Sequence, residues 1–202
     1  MAKYEHQDRY YRKAKELGLP SRASFKIEEM IAKHKVVKAG DWVLDLGAAP
    51  GGWTVILAKA VGAKGRVLAL DLQNLAKRAG GIIEFLQADI YGEEAKAWLA
   101  EKLGERRLDA ICSDMSPKLT GIPFKDAYLS HELVAKAADL AERWLKPGGS
   151  FVAKQFPGSE SAGDLKRLRS MFKTVKVFEP ESSRKTSKEV YLLGIGFQAS
   201  SS

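Results

Sequence analysis

Apolar positions along this chain recur with two different periods, and the switches between them mark out its elements. Trp42–Leu46 is a short apolar run, Gly47–Gly52 a turn of small residues, and Trp53–Val61 places its apolar residues at helical spacing. Gly62 and Gly65 bracket the exit from that helix, and Arg66–Leu70 is the next strand. The succession then repeats. Phe85–Ala88 reads as a strand, Glu93–Leu103 as an amphipathic helix, and Ala110–Ser113 as a strand after a charged turn. Ala127–Leu145 predicts a long amphipathic helix, with Lys146-Pro147-Gly148-Gly149 as its stop signal. Ser150–Lys154 is a fifth strand, Asp164–Phe172 a helix, Thr174–Phe178 a sixth strand and Val190–Phe197 a seventh. Strands alternating with helices predict an α/β fold, a mainly parallel sheet with helices on both faces. Residues 1–40 read as a helical extension and Gln198–Ser202 as a frayed tail, so 1–202 is expected to form one domain.

In a sheet of this kind ligands bind beyond the carboxyl ends of the strands. Those ends are consistently charged here: Asp45 opens the turn after strand one, and Asp71, Asp89, Asp114 and Lys154 close strands two to five. Solvated loops would scatter Lys and Glu as well, whereas four of these five are Asp. The six positions Gly47-Ala48-Ala49-Pro50-Gly51-Gly52 hold three glycines and two alanines, which lets backbone approach a ligand closely. They lack both the G-x-G-x-x-G spacing of a dinucleotide site and the lysine of a phosphate-binding loop. An acid at the end of strand two suits the hydroxyls of an adenosine ribose, and Asp89 can meet an adenine amino group. These are the parts expected for S-adenosylmethionine, a nucleoside cofactor with no phosphates to cradle.

Charge adds a second partner. The chain holds 33 Lys+Arg against 25 Asp+Glu, a formal net charge of +8. Residues 1–40 carry a net +5 and residues 163–202 a net +4, while the stretch between them is at −1. The excess therefore sits at the two ends, where Tyr4, Tyr10, Tyr11, Phe25, Phe172 and Phe178 also lie. Basic residues interleaved with aromatics suit nucleic acid, with phosphates on the cations and bases on the rings. On this map Arg12, Lys13, Arg22, Arg169 and Arg184 are the expected phosphate contacts. The single cysteine, Cys112, excludes a disulfide framework, and the scattered His6, His34 and His131 offer no metal-ligand set. No apolar run approaches the roughly 20 residues of a membrane span, and the N-terminus lacks a signal-peptide core. A cytoplasmic protein without bound metal is expected, and no protein partner can be inferred.

The end of strand four selects among methyl acceptors. Ser113-Asp114-Met115-Ser116-Pro117 differs from the Asn/Asp-Pro-Pro-aromatic run of amino-methylating enzymes. Cys112 sits within an apolar strand and reads as a small buried hydrophobe, not as the nucleophile of pyrimidine carbon-5 methylation. What remains is Asp114 beside Lys154, a carboxylate and a candidate base, which suits a weakly nucleophilic ribose hydroxyl.

Four segments make the reading specific: Ser21-Arg22-Ala23-Ser24-Phe25-Lys26, Asp45 to Trp53, Ser113 to Pro117, and Ser182-Ser183-Arg184 with Lys188-Glu189-Val190-Tyr191. In this order and spacing the chain resembles the FtsJ/RrmJ family of large-subunit ribosomal RNA ribose 2′-O-methyltransferases. The resemblance runs from about Tyr10 to Phe197. It implies a Rossmann-like methyltransferase fold whose seventh strand is antiparallel, and S-adenosylmethionine as cofactor. It further implies a Lys-Asp-Lys-Glu tetrad on Lys26, Asp114, Lys154 and Glu189. An antiparallel last strand would start where the parallel strands end, which brings Glu189 to Asp114 and Lys154. Matching positions place the cofactor on Gly51, Trp53, Asp71, Asp89 and Asp114, with Gly47 and Gly52 completing the turn. The implied acceptor is a uridine of 23S-type RNA within the large subunit. Two departures stand out. Lys118 replaces the Asn that usually follows the strand-four motif, and Asn74–Gly81 lacks the usual Pro-Met or Pro-Ile pattern.

Two roles stay open for Lys154: a neutral amine that draws the hydroxyl proton, or an ammonium that orients the hydroxyl and stabilises developing oxyanion charge. Two other functions compete, methylation of tRNA ribose and a non-catalytic RNA-binding module on the same fold. The intact tetrad and cofactor turn weigh against the second.

Overall fold

The computed structural model describes residues 9–76, 80–183 and 188–199. Two N-terminal helices, α1 (Arg9–Glu16) and α2 (Ser24–His34), precede the alternating part of the chain. There β1 (Trp42–Leu46), α3 (Gly52–Val61), β2 (Arg66–Asp71), β3 (Ile83–Gln87), α4 (Glu93–Leu103) and β4 (Leu108–Ser113) follow in turn. The second half comprises α5 (Pro123–Trp144), β5 (Leu145–Gln155), α6 (Ser161–Met171), β6 (Phe172–Phe178) and β7 (Val190–Phe197).

The seven strands form one sheet in the order β3-β2-β1-β4-β5-β7-β6. Neighbours from β3 to β5 are parallel, and β7 runs antiparallel between β5 and β6. The expected α/β class and the reversed last strand are both present. Because side chains alternate across a strand, each strand feeds two cores. Val43, Val67, Cys112, Val152 and Tyr191 face one way, onto Ile27 and Met30 of α2 and Leu57 of α3. Leu44, Leu68, Ile111, Phe151 and Leu192 face the other way, onto Leu99 of α4, Ala137 and Ala141 of α5, and Leu168 of α6. The order reverses between β1 and β4, which opens a crevice beyond their carboxyl ends.

Several boundaries differ from the sequence reading, for local reasons. The long helix begins at Pro123 instead of Ala127, because a proline in the first turn needs no hydrogen-bonded amide. Lys146–Gly149 does end the helix at Trp144, but these residues then run inside β5 instead of forming a separate loop. Leu145 pairs with Leu108, and pairing resumes at Ser150 with Ala110 after a shift in register. Gly148 supplies the left-handed backbone at φ +81° that the shift requires. The expected tail is held at its start, where the Gln198 amide donates to the Met171 carbonyl at 2.7 Å; residues 200–202 lie outside the described residues. Among the described residues no helix is long and apolar enough to cross a membrane.

Candidate active site

A cavity of about 310 Å3 occupies the crevice. Gly47, Asp71, Asp89, Tyr91, Asp114 and Met115 are among the residues that border it. The strand-end carboxylates of β2 and β3 are oriented by backbone amides. Asp71 accepts from the amides of Ala49 (2.9 Å) and Gln73 (2.8 Å), and Asp89 from that of Tyr91 (2.9 Å). A carboxylate has lone pairs beyond these, so both remain competent acceptors toward the cavity. Leu72, Ile90 and Tyr91 supply apolar wall beside them.

The three glycines of the first turn have three separate reasons. A Cβ on Gly47 would meet the Met115 backbone amide at 2.8 Å, so this position lets the loops after β1 and β4 touch. Gly51, at φ +109°, turns the chain into α3. A Cβ on Gly52 would strike Ser21 Oγ at 2.3 Å, on the side of α2. Its carbonyl accepts from Ser24 Oγ at 2.9 Å. Gly47 therefore borders the cavity, while Gly52 serves the docking of α2.

Next to the cavity, four elements bring charged groups together. Ser113 pairs with Ala153 across β4 and β5, which places Asp114 beside Lys154. Lys154 pairs with Tyr191 across β5 and β7, so these two side chains share a face with Glu189, two residues before Tyr191. Lys26, in α2, covers that face. The Lys154 ammonium donates to the Asp114 carbonyl at 2.7 Å and lies 3.2 Å from Asp114 Oδ1. Tyr191 donates its hydroxyl hydrogen to the same Oδ1 at 2.7 Å and accepts from Lys26 Nζ at 3.3 Å. Lys26 is ion-paired with Glu189, which also accepts from Ser183 Oγ at 3.1 Å. The tetrad is thus one connected network running Lys154, Asp114, Tyr191, Lys26, Glu189.

All these groups are largely buried, which makes their pairing decisive. Burial pushes the Glu189 carboxyl up, but the Lys26 charge and hydrogen bond, with Lys154 and Ser183, bring it below its ordinary value. Burial and the charges of Asp114 and Glu189 hold the Tyr191 phenol far above its ordinary range, so it keeps its proton for Asp114. Beneath the network, Asp45 is fully buried and accepts from Thr54 Oγ1 at 2.6 Å. Burial, followed by the charges of Asp114 and Asp71, pushes its carboxyl up to about 7.

The family model for FtsJ-like methyltransferases matches residues 19–197. The chain belongs to the FtsJ-like methyltransferase family. Among curated relatives, the "Ribosomal RNA large subunit methyltransferase E" of Anaeromyxobacter dehalogenans is 44% identical, over 98% of this chain and 74% of its own. The protein of that name from Myxococcus xanthus is 42% identical, over 95% of this chain and 90% of its own. Among solved structures, a Plasmodium falciparum protein described as a ribosomal RNA methyltransferase superposes with a TM-score of 0.79 at 24% identity. It covers 89% of this chain and 99% of its own. A SAM-dependent O-methyltransferase from Thermotoga maritima gives 0.56 at 19% identity, over 90% of this chain and 67% of its own. These two likenesses concern the fold.

Within this FtsJ-like site some expected residues lie elsewhere. Trp53 is 2% exposed and turned toward α2; its indole N–H donates to the Ala23 carbonyl at 2.9 Å, and its ring lies 5.6 Å from that of Tyr191. Neither Trp53, Gly51 nor Gly52 borders the cavity. Trp53 instead anchors the helix that carries Lys26. Arg12 and Lys13 lie exposed on α1, with the Lys13 ammonium 5.0 Å from the Phe25 ring centre. Arg22 lies near enough to Tyr191 for its charge to act on the phenol. Arg169 is in the last turn of α6, beside the start of β6, at the opposite end of the sheet from the tetrad. It is therefore not part of the acceptor surface. Arg184 and the segment 77–79 lie outside the described residues.

Four aromatics of the basic ends serve packing, whereas Tyr11 is 55% exposed and Tyr4 lies outside the described residues. Tyr10 packs against Phe25 with the rings tilted, Phe172 lies between Phe151 and Phe197, and Phe178 meets His34 edge-on. Sequence reasoning assigned no role to Tyr191, the hub of the network. The available signal was its spacing: two residues after Glu189 in a strand, it must share that residue's face.

Proposed function

We propose that this methyltransferase transfers a methyl group from S-adenosylmethionine to a ribose 2′-hydroxyl, expected on a uridine, of large-subunit ribosomal RNA. The reaction would take place in the cytoplasm and the chain would act as one domain. The observation that carries the reading is Asp114, which borders the cavity and is at once held by Lys154 and Tyr191. A nucleoside cofactor fits the cavity: two oriented carboxylates for ribose and adenine, apolar wall between them, and a volume at the lower end of small-molecule sites, about 300–1,000 Å3. When bound, the cofactor supplies an activated methyl on a positively charged sulfonium.

The chain's own residues handle the acceptor. Asp114 fixes the Lys154 ammonium through two oxygens, so Lys154 has a defined direction toward a hydroxyl placed above it. Lys26 and Glu189 neutralise one another, and Tyr191 ties that pair to Asp114. With Lys154 as an ammonium the buried site has two cations and two anions and carries no net charge; in that form Lys154 holds the hydroxyl, and only as a neutral amine does it take the proton. Arg12, Lys13, Arg22 and Arg184 are proposed to contact phosphates. The names of the relatives support ribosomal RNA over tRNA as the partner.

The test is methyl transfer in vitro to isolated large subunits, free ribosomal RNA and free tRNA, with the modified nucleotide mapped. A 2′-O-methyl group on large-subunit RNA is expected; transfer to tRNA alone would replace the reading. Lys154→Arg then separates the two roles, since arginine stays charged. Activity near wild type would assign Lys154 to orientation, whereas a fall of about 10²–10⁴-fold with cofactor affinity retained would assign it to proton removal.

A further inference from the structure

Beyond the tetrad, β4 and β5 each continue into a segment that presents aromatic side chains. After Asp114 the chain passes through an exposed loop carrying Leu119 and Ile122 and enters α5 with Phe124, which is 79% exposed. Tyr128, one helical turn later, is 51% exposed, and its ring lies 6.1 Å from that of His131 at a tilt of 52°. After Lys154 the chain passes through Gln155 to Phe156, and Tyr128, His131 and Phe156 line a common depression with Gly158 and Ser159.

This surface is fixed from behind. The buried Asp164 carboxylate holds His131 Nδ1 at 2.7 Å and accepts from Gln155 Nε2, the residue next to Lys154. The Phe156 amide donates to Ser130 Oγ at 3.0 Å, and Gly158 lies so close to α5 that a Cβ would meet Ala127 Cβ at 2.6 Å. Asp126 holds the loop before α5 by accepting from the amides of Thr120 (2.7 Å) and Gly121 (3.2 Å). Large exposed aromatics on ordered backbone are costly to keep in water, and here they continue the two strands that carry Asp114 and Lys154.

We infer that Phe124 and Tyr128, backed by His131 and Phe156, form a stacking platform for unpaired bases of the acceptor RNA next to the methylated ribose. The inference rests on the reading of the chain as an RNA methyltransferase. Charge favours RNA as the occupant and sets its direction. Lys118 and Lys125 lie exposed in the same segment, where phosphates can sit, whereas Glu132, hydrogen-bonded to Tyr128, and Glu160 bear on that ring and would repel them. Bases therefore face the rings while the backbone follows the lysines. An unpaired strand is required because the base faces in an RNA duplex are stacked on one another and cannot reach the rings.

The test uses the full chain with Phe124→Ala, Tyr128→Ala and the double variant, and Phe124→Trp as the conservative change. An oligouridylate and an RNA duplex of equal length serve as probes. Stacking predicts that the double variant binds oligouridylate about tenfold or more weakly. Duplex affinity, salt dependence and S-adenosylmethionine affinity should remain at wild-type values, and Phe124→Trp should keep single-strand affinity. Single-strand affinity within twofold of wild type would overturn the platform, and so would an equal loss on strand and duplex. Loss of transfer to intact subunits with oligouridylate binding unchanged would assign the surface to a protein contact instead. Absence of methyl transfer by the wild type, with the ring-dependent single-strand binding intact, would instead count against the proposed reaction alone.

Discussion

On the cofactor side of the crevice, Asp71 and Asp89 are oriented by backbone amides, those of Gln73 and Tyr91 two residues on and that of Ala49 in the loop after β1. On the acceptor side, Asp114 and Glu189 are oriented by side chains far along the chain; Lys26 and Glu189 are 163 positions apart. The first arrangement makes each carboxylate a separate unit that can fail alone. The second is a set of buried charges, each satisfied by the next, so removing one leaves another without a partner in a poorly solvated place. Ligand affinity is therefore concentrated on one side of the crevice, and fold stability on the other.

The largest expected effect tests the ground between the two sides, where Asp45 lies under both. Its carboxyl, raised to about 7, is protonated in the folded protein over a range where the unfolded chain has lost the proton. The folded state thus binds more protons, and this group's contribution to stability falls as the pH rises from about 4 to 7. The difference is on the order of 4 kcal/mol across that range, read from urea denaturation at a series of pH values. Asp45→Asn, which keeps an acceptor for Thr54, should flatten that limb of the profile.

Glu189→Gln leaves the Lys26 ammonium buried without its counter-charge and should destabilise the protein by about 3 kcal/mol. The pH dependence has the opposite sign to that of Asp45. The Glu189 carboxyl is depressed, so its contribution is complete above the ordinary carboxylate range and is lost as the pH falls through its folded value. An acid limb that persists unchanged in the variant would break the contrast between the two sides.

Asp71→Ala should reverse the pattern: S-adenosylmethionine affinity falls by about tenfold to a hundredfold, from the lost charged hydrogen bonds, with a small change in melting temperature. Titration calorimetry and thermal unfolding of the same sample would read both. The smallest effect is expected of Trp53→Phe, which loses the hydrogen bond to Ala23 at a cost of about 1 kcal/mol. Cofactor affinity should not change, since the ring borders α2 and not the cavity.

Much of the cofactor side was legible in the sequence because its determinants are local. The turn after β1 and the acids at the ends of β2, β3 and β4 lie where the strand pattern ends, and the fold rule points to those ends. Gly51, Gly52 and Trp53 were the exceptions. A glycine can permit the approach of a ligand or of another helix, and Ser21 decided for the helix. On the acceptor side Asp114 and Lys154 were legible at the strand ends, whereas Lys26 and Glu189 were legible only through the family motifs. Composition says nothing about which of the 33 lysines and arginines will be brought to Asp114, because that depends on strand order.

The charge map fared unevenly for the same reason. A count along the chain located the excess cations but not the direction of any ring. Tyr10, Phe25, Phe172 and Phe178 turned out to fill contacts between elements, while Phe124 and Tyr128, in the neutral middle, face solvent.

By itself the sequence determined the alternation of strands and helices, the two-sided burial of the sheet and the positions of its strand-end acids. These follow from periodicity and turn chemistry within a few residues. Tertiary structure alone decided that Tyr191 joins Asp114 to Lys26, that Trp53 belongs to the core, and that Arg169 lies away from the site. Each depends on which strands become neighbours and which way β7 runs, and a buried charge or ring takes its role from the groups that surround it.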